Sequence, residues 1–173
     1  MIKNRVIGSG QYGTHLVPLI AAVMATDGIV IEFGVGDFST PVLHEIFGWD
    51  YNWEDSEFIN RKLISYESDE KWLNNFIDLK SDRHEFILID NWDSIEVLPC
   101  SVLLVDHAPS ERRIVDIDRF KDHAEILVVH DTDKMKYYGY DKVFGDFKYK
   151  KTYDRYSKST TLLSNFTDIT KLI

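Results

Sequence analysis

Carboxylates follow five short hydrophobic runs of this 173-residue sequence, and their grouping is the first sign of chemistry. They are Glu32, Glu67, Asp90, Asp106 and Asp131, the last of which follows a histidine. If the runs are parallel strands of one sheet, their carboxyl ends meet at one edge, where such sheets bind ligands. Any one acid could instead cap the next helix, but grouped carboxylates repel one another unless a ligand, a metal or a partner charge offsets them. The five together predict an acidic ligand site.

The stretch IVIEFGVGDFST, residues 29–40, joins the first run to a predicted helix through two glycines. A dinucleotide loop has the pattern G-x-G-x-x-G and receives a pyrophosphate at the helix N-terminus. Here Ser39 occupies the third glycine position, and Glu32 stands directly before the loop, where it would repel a pyrophosphate. The loop therefore favours a positively charged cofactor without phosphate over a nicotinamide dinucleotide.

Two histidines stand beside these acids. His107 follows Asp106, and His130 precedes Asp131. Because histidine titrates near neutral pH, either imidazole can remove the proton of an acceptor hydroxyl or amine. We therefore name His107, His130 and Asp106 as candidate catalytic residues. The alternative is that each histidine only hydrogen-bonds loop backbone.

Buried strands are predicted to position these residues. The hydrophobic runs are rich in β-branched side chains and do not alternate cleanly with polar ones, which indicates burial on both faces of a parallel sheet. Segments with helical period separate the runs, as in folds that alternate strands and helices. The predicted strands are 29–33, 63–67, 85–89, 101–105 and 125–129.

Helices are predicted before and between the strands, at 16–25, 39–47, 68–80 and 110–124. The helix at 39–47 has a serine at its cap position and a proline in its first turn, which favour a helix start. After Val129 no helix fits convincingly. Residues 143–157 and 160–170 are instead predicted to form two strands that add an antiparallel hairpin to the sheet.

These features resemble class I S-adenosylmethionine-dependent methyltransferases. The resemblance rests on Glu32-x-Gly34-x-Gly36, on the acids that end the next four strands and on the terminal hairpin, and it runs from about residue 29 to residue 165. It implies an α/β three-layer sandwich with a seven-stranded, mostly parallel sheet in the order 3-2-1-4-5-7-6. It also implies S-adenosylmethionine as the cofactor and an enzyme that methylates a small-molecule or sugar-like hydroxyl.

The resemblance assigns roles to individual residues. Gly34 and Gly36 would let the backbone approach the amino-acid part of the cofactor, above Glu32. Glu67 would bind both ribose hydroxyls, and Asp106 would lie by the methionyl amine and face the reacting methyl group. The implied cofactor-binding residues are Glu32, Gly34, Gly36, Phe38, Glu67, Ser68, Asn91, Trp92 and Asp106, with Asp90 and Trp72 as alternatives beside the adenine.

The segments VDHAPSERR and VVHDTD also resemble small-molecule O-methyltransferases that bind a divalent metal. Asp106, Asp131 and Asp133 would supply oxygen ligands for Mg²⁺. His130 stands where that pattern has an acid or an amide, so a metal is possible but not favoured. The adjacent Arg112 and Arg113 would grip an anionic substrate, or one of them would pair with a neighbouring acid on the helix surface.

The acceptor must be recognised by segments outside the strands and helices. They are the segment 8–15, the aromatic and acidic loop 48–60 and the chain after Thr132. Tyr12 or His15 is expected near the transferred methyl group. No D/N-P-P-Y/F motif follows the fourth strand, so methylation of an exocyclic amine of a DNA base finds no support.

Composition narrows the setting of the protein. A formal net charge of -9 argues against non-specific binding to nucleic acid or to anionic membranes. The single cysteine, Cys100, fits a reducing compartment and predicts a cytoplasmic protein. We expect one domain over residues 1–173 with an N-terminal helical cap at about 1–27, and self-association stays open. The alternatives are a non-catalytic binding module of the same fold and a nicotinamide-dependent oxidoreductase.

Overall fold

Seven strands form one sheet in the computed structural model, which describes residues 12–47 and 61–173. The sheet order is β3-β2-β1-β4-β5-β7-β6; β1 to β5 are parallel, and β7 is antiparallel to both of its neighbours. This is the predicted order, including the C-terminal hairpin. The strands are β1 Val30–Phe33, β2 Leu63–Glu67, β3 His84–Leu88, β4 Cys100–Val105, β5 Ala124–Val129, β6 Tyr149–Tyr153 and β7 Thr160–Ser164.

Helices cover both faces of the sheet, which confirms the predicted three layers. The α-helices are α1 Leu16–Met24, α2 Ser39–Phe47, α3 Glu70–Leu73, α4 Arg113–Phe120 and α5 Met135–Tyr138. Short 3₁₀ helices lie at Ile77–Leu79, Trp92–Ser94, Ser110–Arg112, Thr132–Lys134, Tyr140–Lys142 and Phe144–Asp146. None of the helices in the described residues is long and apolar enough to cross a membrane.

Alternate residues of the strands build two hydrophobic cores. Val102 and Leu104 of β4 face α1 and α2, whereas Leu103 and Val105 face α4. Successive strand residues point to opposite faces, so a strand covered on both sides is buried at every position and mostly apolar. Every residue of β1, β4 and β7 is buried, as the unbroken hydrophobic runs predicted for β1 and β4.

The predicted helix over 68–80 was wrong in its length. Asp69 caps a single turn, Glu70–Leu73, through hydrogen bonds from the amides of Lys71 and Trp72 to its carboxylate. Asn74 and Asn75 follow, and asparagine is a poor residue for a helix interior because its side chain competes for backbone hydrogen bonds. Leu73 and Phe76 of this segment are nevertheless buried against Val35 and Phe86. Their spacing of three residues produced the helical period on which the prediction rested.

The region after β5 also differs from the prediction. It begins with helical turns that the sequence pattern did not indicate, and the strand predicted over 143–157 is only Tyr149–Tyr153. Tyr140 and Phe144 are buried and stack with their ring centroids 5.2 Å apart. Their spacing of four residues places both rings on the same side of consecutive turns, where they cover the α4 face of the sheet.

Candidate functional site

The glycine loop between β1 and α2 requires a conformation that few other residues adopt. Gly34 has a φ of +88°, and a Cβ atom there would lie 2.7 Å from the Cα of His107. The backbone therefore passes directly against the end of β4. Gly36 is different, because a Cβ there would contact only Ser39 Oγ, at 3.5 Å. Its side of the loop faces a pocket.

Glu32 lies below this loop and is fully buried. Its carboxylate accepts hydrogen bonds from Thr40 Oγ1 at 3.0 Å and from Ser65 Oγ at 2.6 Å. Thr40 Oγ1 in turn accepts a hydrogen bond from the Gly36 amide at 2.8 Å. Burial raises the pKa of Glu32 to about 7, although the hydroxyl donors around it oppose the shift. Glu32 thus holds the loop through Thr40, and the loop separates its carboxylate from the pocket.

The hydrogen-bond network below Glu32 extends through Ser65 to His84 and His44, two residues that were not predicted from the sequence. Ser65 Oγ lies 2.9 Å from His84 Nε2, and His84 Nδ1 lies 3.3 Å from His44 Nδ1. Burial and the nearby His44 lower the pKa of His84 to about 3. The sequence signal that could have indicated this network is the presence of Ser65 and His84 at buried positions of β2 and β3, among apolar residues.

The pocket above the loop has a volume of about 450 Å³. It lies at the carboxyl ends of β1, β4 and β5, where the strand order predicts a ligand. Three carboxylates line it, from Asp37, Asp106 and Asp131, together with the guanidinium of Arg113. The remaining lining residues are Tyr12, His15, Gly34, Val35, Gly36, Phe38, Ser39, Trp72 and His130.

Asp106 joins the two sides of this pocket. Its Oδ2 lies 3.0 Å from His130 Nδ1, and its Oδ1 lies 3.0 Å from Arg113. Burial alone would raise the pKa of Asp106, but the hydrogen bond to His130 and the charges of His130 and Arg113 lower it to about 2. Burial would lower the pKa of His130, yet the hydrogen bond and the charge of Asp106 raise it above its ordinary value. Each partner therefore favours the charged form of the other.

Arg113 and Asp131 extend this pair into a charged network. Arg113 also lies 3.5 Å from Asp131 Oδ2 and donates from Nε to the His107 carbonyl oxygen at 2.8 Å. Lys158 Nζ lies 3.1 Å from Asp131 Oδ1. Arg112 pairs with Asp116 of α4, whereas Arg113 pairs with these acids of the pocket. Lys158 was missed, because it reaches the site from the loop before β7.

The N-terminal segment completes the wall of the pocket. His15 is 3% exposed, and its ring lies edge to face on His130 with the centroids 4.5 Å apart. Thr14 Oγ1 lies 3.1 Å from His130 Nε2. Burial lowers the pKa of His15 to about 4, so its imidazole is neutral at neutral pH. A Cβ at Gly13 would lie 2.7 Å from Phe38, so this segment packs tightly on the glycine loop.

Glu67 lies near the pocket, with its carboxylate turned to backbone amides. Oε1 accepts hydrogen bonds from the amides of Ser68 and Asp69 at 2.7 and 3.0 Å, and Oε2 accepts one from Val35 at 3.2 Å. Ser68 Oγ also lies 3.5 Å from Oε1, whereas Oε2 has about two acceptor positions and one donor, so one position remains on Oε2. The geometry therefore leaves room for one ribose hydroxyl, and the predicted bond to both stays a prediction.

The residues expected beside the adenine lie in three different places: the core, the surface and the pocket. Trp92 is buried in the α4-side core and donates its indole N–H to the Ala108 carbonyl oxygen at 2.9 Å, so its ring lies outside the pocket. Asn91 is exposed and uses its side chain to cap the short helix at Trp92–Ser94. Trp72 lines the pocket and donates to the Val35 carbonyl oxygen at 2.6 Å. Of the two tryptophans, Trp72 alone lines the pocket, and the adenine contacts stay predictions.

His107 does not join the other two candidate catalytic residues in the pocket. It is 1% exposed, its ring packs against Trp92 at 4.1 Å, and its Nε2 lies 3.1 Å from Asp116 of α4. Adjacent residues at a strand end point in opposite directions, and Asp106 takes the direction of the pocket. The imidazole of His107 therefore lies outside the pocket lining, and its predicted catalytic role stays a prediction.

Of the predicted acceptor segments, 8–15 lies partly within the described residues and 48–60 lies outside them. The loop 48–60 and residues 8–11 lie outside the described residues, whereas Tyr12 and His15 line the pocket. Of the oxygen ligands predicted for Mg²⁺, Asp133 is exposed and is absent from the pocket lining. Asp131 already lies between two cationic side chains. The oxygen-only metal site therefore lacks a free set of ligands in the described residues.

No protein-family model matches the sequence, and no curated protein sequence matches it significantly. Solved structures do match the fold. An O-methyltransferase from Bacillus cereus in complex with SAH superposes with a TM-score of 0.61 and 9% sequence identity, over 94% of this chain and 84% of that chain.

Two further solved structures share the fold. An SAH-bound methyltransferase from Podospora anserina gives a TM-score of 0.58 at 10% identity, over 88% of this chain and 77% of that one. A precorrin-6y C5,15-methyltransferase from Geobacter metallireducens gives 0.57 at 9% identity, over 96% and 94%. At such low identity these similarities establish the fold, which is that of the class I methyltransferases and confirms the predicted resemblance at that level.

Proposed function

We propose that this protein is an S-adenosylmethionine-dependent methyltransferase that acts on a hydroxyl of a small molecule. The observation that carries the proposal is the acidic pocket over the Gly34–Gly36 loop, whose three carboxylates outnumber the guanidinium of Arg113 in the lining and the ammonium of Lys158 beside Asp131. A ligand with a sulfonium and an ammonium group suits this excess of negative charge, whereas a pyrophosphate would face Asp37 and Asp106. The methyltransferase fold is consistent with the proposal.

The proposed cofactor position follows from the pocket lining. The methionyl part would lie over Gly34 and Gly36, with its amine by Asp106 and its adenosine end toward Trp72. Glu67, one hydrogen-bond position of which remains open, would hold a ribose hydroxyl. Of the other predicted cofactor contacts, Phe38 lines the pocket, Ser68 helps to fix Glu67 through its amide, and Asn91 remains a proposal without a pocket contact.

Methyl transfer is a displacement in line with the sulfonium, so it depends on how the acceptor oxygen is held. The Asp106–His130 pair lies at the pocket wall that His15 and Thr14 cover, and we propose this pair as the centre that activates the acceptor. A small molecule is favoured because the N-terminal segment packs over this end of the pocket. A cytoplasmic location and a single catalytic domain belong to the same proposal.

The glycine loop offers a direct test of the cofactor position. Gly36→Val places a side chain in the pocket while its Cβ contacts only Ser39 at an ordinary distance, so the fold should be retained. We expect calorimetry to show at least about a tenfold loss of affinity for S-adenosylmethionine, which corresponds to 1.4 kcal/mol. Gly145→Val is the matched control, because a Cβ there meets nothing within 4 Å. Equal cofactor affinity of the Gly36→Val variant and wild type would contradict the proposed position.

Turnover needs its own test, because cofactor binding alone also fits a non-catalytic module. Formation of S-adenosylhomocysteine is measured with panels of phenols and sugars as acceptors. His130→Asn should lower kcat with little change in affinity for the cofactor, since the affected group activates the acceptor. If wild type binds S-adenosylmethionine and transfers no methyl group to any hydroxyl compound, the small-molecule hydroxyl part of the proposal fails.

A further inference from the structure

His15 has two buried ring nitrogens, and neither has a hydrogen-bond partner within residues 12–47 and 61–173. Buried polar atoms of native proteins nearly always have a partner, so a histidine with both nitrogens unsatisfied indicates a group that binds there. The ring lies in the pocket wall against His130, and a carboxylate, Asp106, lies beside both. The sequence predicts His15 near the acceptor and assigns no chemical role to its imidazole.

The three side chains offer ligand atoms that converge on one space. One nitrogen of His15, one nitrogen of His130 and one carboxylate oxygen of Asp106 all lie within 4.8 Å of one another. Asp106 Oδ2 and His130 Nδ1 are 3.0 Å apart. Neighbouring ligands of a metal ion lie about 3 Å apart when metal–ligand distances are roughly 2.0–2.2 Å. We propose that His15, His130 and Asp106 bind a divalent transition-metal ion at the end of the pocket.

The surrounding residues orient these ligands in the manner of metal sites. A histidine ligand usually bonds a partner with its other ring nitrogen, and this partner fixes the ring. His130 Nε2 lies 3.1 Å from Thr14 Oγ1, which leaves Nδ1 for the ion. Arg113 bonds Oδ1 of Asp106 and leaves Oδ2 on the side of His130. Asp106 Oδ2 and His130 Nδ1 therefore face each other, and an ion bound by both would replace the proton that they share.

The ligand types select the class of metal. Two imidazoles and one carboxylate suit Zn²⁺, Fe²⁺ and related ions, whereas Mg²⁺ prefers oxygen ligands alone. Asp131, the nearby acid that would make an oxygen site, is instead bound by Arg113 and Lys158. Three protein ligands also leave an open position for an exogenous oxygen. The site thus differs from the oxygen-only Mg²⁺ site that the sequence pattern implied.

The metal site would change how the acceptor is activated. An ion that holds the acceptor oxygen at its open position lowers the pKa of that hydroxyl, and His130 then acts as a ligand instead of a base. The site itself does not depend on the proposed reaction. Metal binding and cofactor binding are measured separately, so failure of one leaves the other unaffected.

Co²⁺ titration of the full chain, freed of affinity tag and first stripped with a chelator, tests the site. Visible absorption of Co²⁺ reports nitrogen ligands, and Zn²⁺ is then added as the competitor. We expect one Co²⁺ per chain, displaced by Zn²⁺ and not by equal Mg²⁺. His15→Ala should weaken binding at least about 100-fold, because loss of a ligand exceeds the 10–100-fold loss of an orienting partner.

Variants that keep the fold separate this site from adventitious binding. His123→Ala is the matched control, because His123 is exposed and lies at the opposite end of β5 from His130, so the variant should bind Co²⁺ like wild type. Asp106→Asn retains the shape of the side chain and should weaken binding to a similar extent as His15→Ala; circular dichroism checks that each variant folds. The proposal is overturned if Co²⁺ fails to bind, if folded His15→Ala or Asp106→Asn binds as tightly as wild type, or if His123→Ala removes binding.

Discussion

At the scale of single residues, Asp106 is the centre of the site. It contacts a histidine on β5's end and an arginine that begins α4, and the N-terminal segment reaches the same histidine through Thr14. Its pKa of about 2 keeps the carboxylate charged throughout the physiological range. A permanently charged carboxylate beside a ligand pocket favours a cationic ligand, so the electrostatics of one residue link the fold to the proposed cofactor.

Glu32→Gln should change how stability depends on pH. The folded protein raises the pKa of Glu32 from 4.5 to about 7, so it holds a proton that the unfolded chain has released between those values. This group therefore makes the wild type lose stability as pH rises from about 4.5 to 7, after which its effect is constant. Glutamine does not titrate. Relative to the variant, the wild type should lose about 2.5 kcal/mol between pH 5 and pH 8, measured by urea denaturation.

Glu85→Gln provides the control for this comparison, since Glu85 is exposed on a neighbouring strand. Its stability should follow that of wild type at both pH values. Parallel stability curves of wild type and Glu32→Gln between pH 5 and pH 8 would show that Glu32 titrates in the ordinary acid range.

Sequence position predicted the edge of the sheet at which each polar residue lies, but not the direction of its side chain. Asp106 and His107 are neighbours, and only Asp106 faces the pocket. Trp92 satisfied the expectation of an aromatic ring near the third strand, yet its ring fills the core. These directions depend on which partners, such as Asp116, are brought close by the tertiary fold.

At the scale of elements, α4 is fixed against the end of β4 through Asp116, which contacts His107. This carboxylate is fully buried and contacts Arg112, Arg119 and His107 at 2.9, 2.7 and 3.1 Å. Asp116→Ala should lower the free energy of unfolding by about 3 kcal/mol, because it leaves buried partners without a counter-charge. Urea denaturation measures the change.

Asp118→Ala, on the same helix, is the matched comparison for α4. Asp118 is exposed and pairs with Lys121 on the surface, so little change is expected. If the two variants were equally stable, the buried network around His107 would have no structural role.

The loop between β1 and α2 is the second element on which the site depends. Gly34→Ala should destabilise the protein by at least about 2 kcal/mol, because alanine is strained at a φ of +88° and its Cβ would meet the backbone of His107. Gly145→Ala should change stability by less than about 0.5 kcal/mol, since a Cβ there meets nothing. Thermal unfolding of both variants checks the difference, and a Gly34→Ala variant as stable as wild type would contradict the described loop.

The elements were predictable where pattern and burial agree. The core strands appear as unbroken apolar runs because helices cover both faces of the sheet. The segment 68–80 misled, because buried side chains at helical spacing can belong to one turn followed by a 3₁₀ helix. The turns at 140–146 were missed for the opposite reason: aromatic residues there favour strands in isolation and pack as helical turns in this context.

At the scale of the whole molecule, sheet order brings distant segments to one pocket. Neighbouring β1 and β4 place the glycine loop beside Asp106, and β5 places His130 next to it. The N-terminal segment then closes the pocket through Gly13 on Phe38 and Thr14 on His130. The sequence predicted the order and the shared edge, whereas the closing contacts depend on tertiary packing that no short motif encodes.

At this scale we propose that the pocket binds a cationic cofactor that carries no phosphate. Calorimetry of the full chain with S-adenosylmethionine and with NAD, each up to about 1 mM, tests it most directly. We expect saturable binding of S-adenosylmethionine at one site per chain and no binding of NAD, because the carboxylates of Asp37, Asp106 and Asp131 attract the first and repel the pyrophosphate of the second. Binding of NAD, or no binding of S-adenosylmethionine, would contradict it.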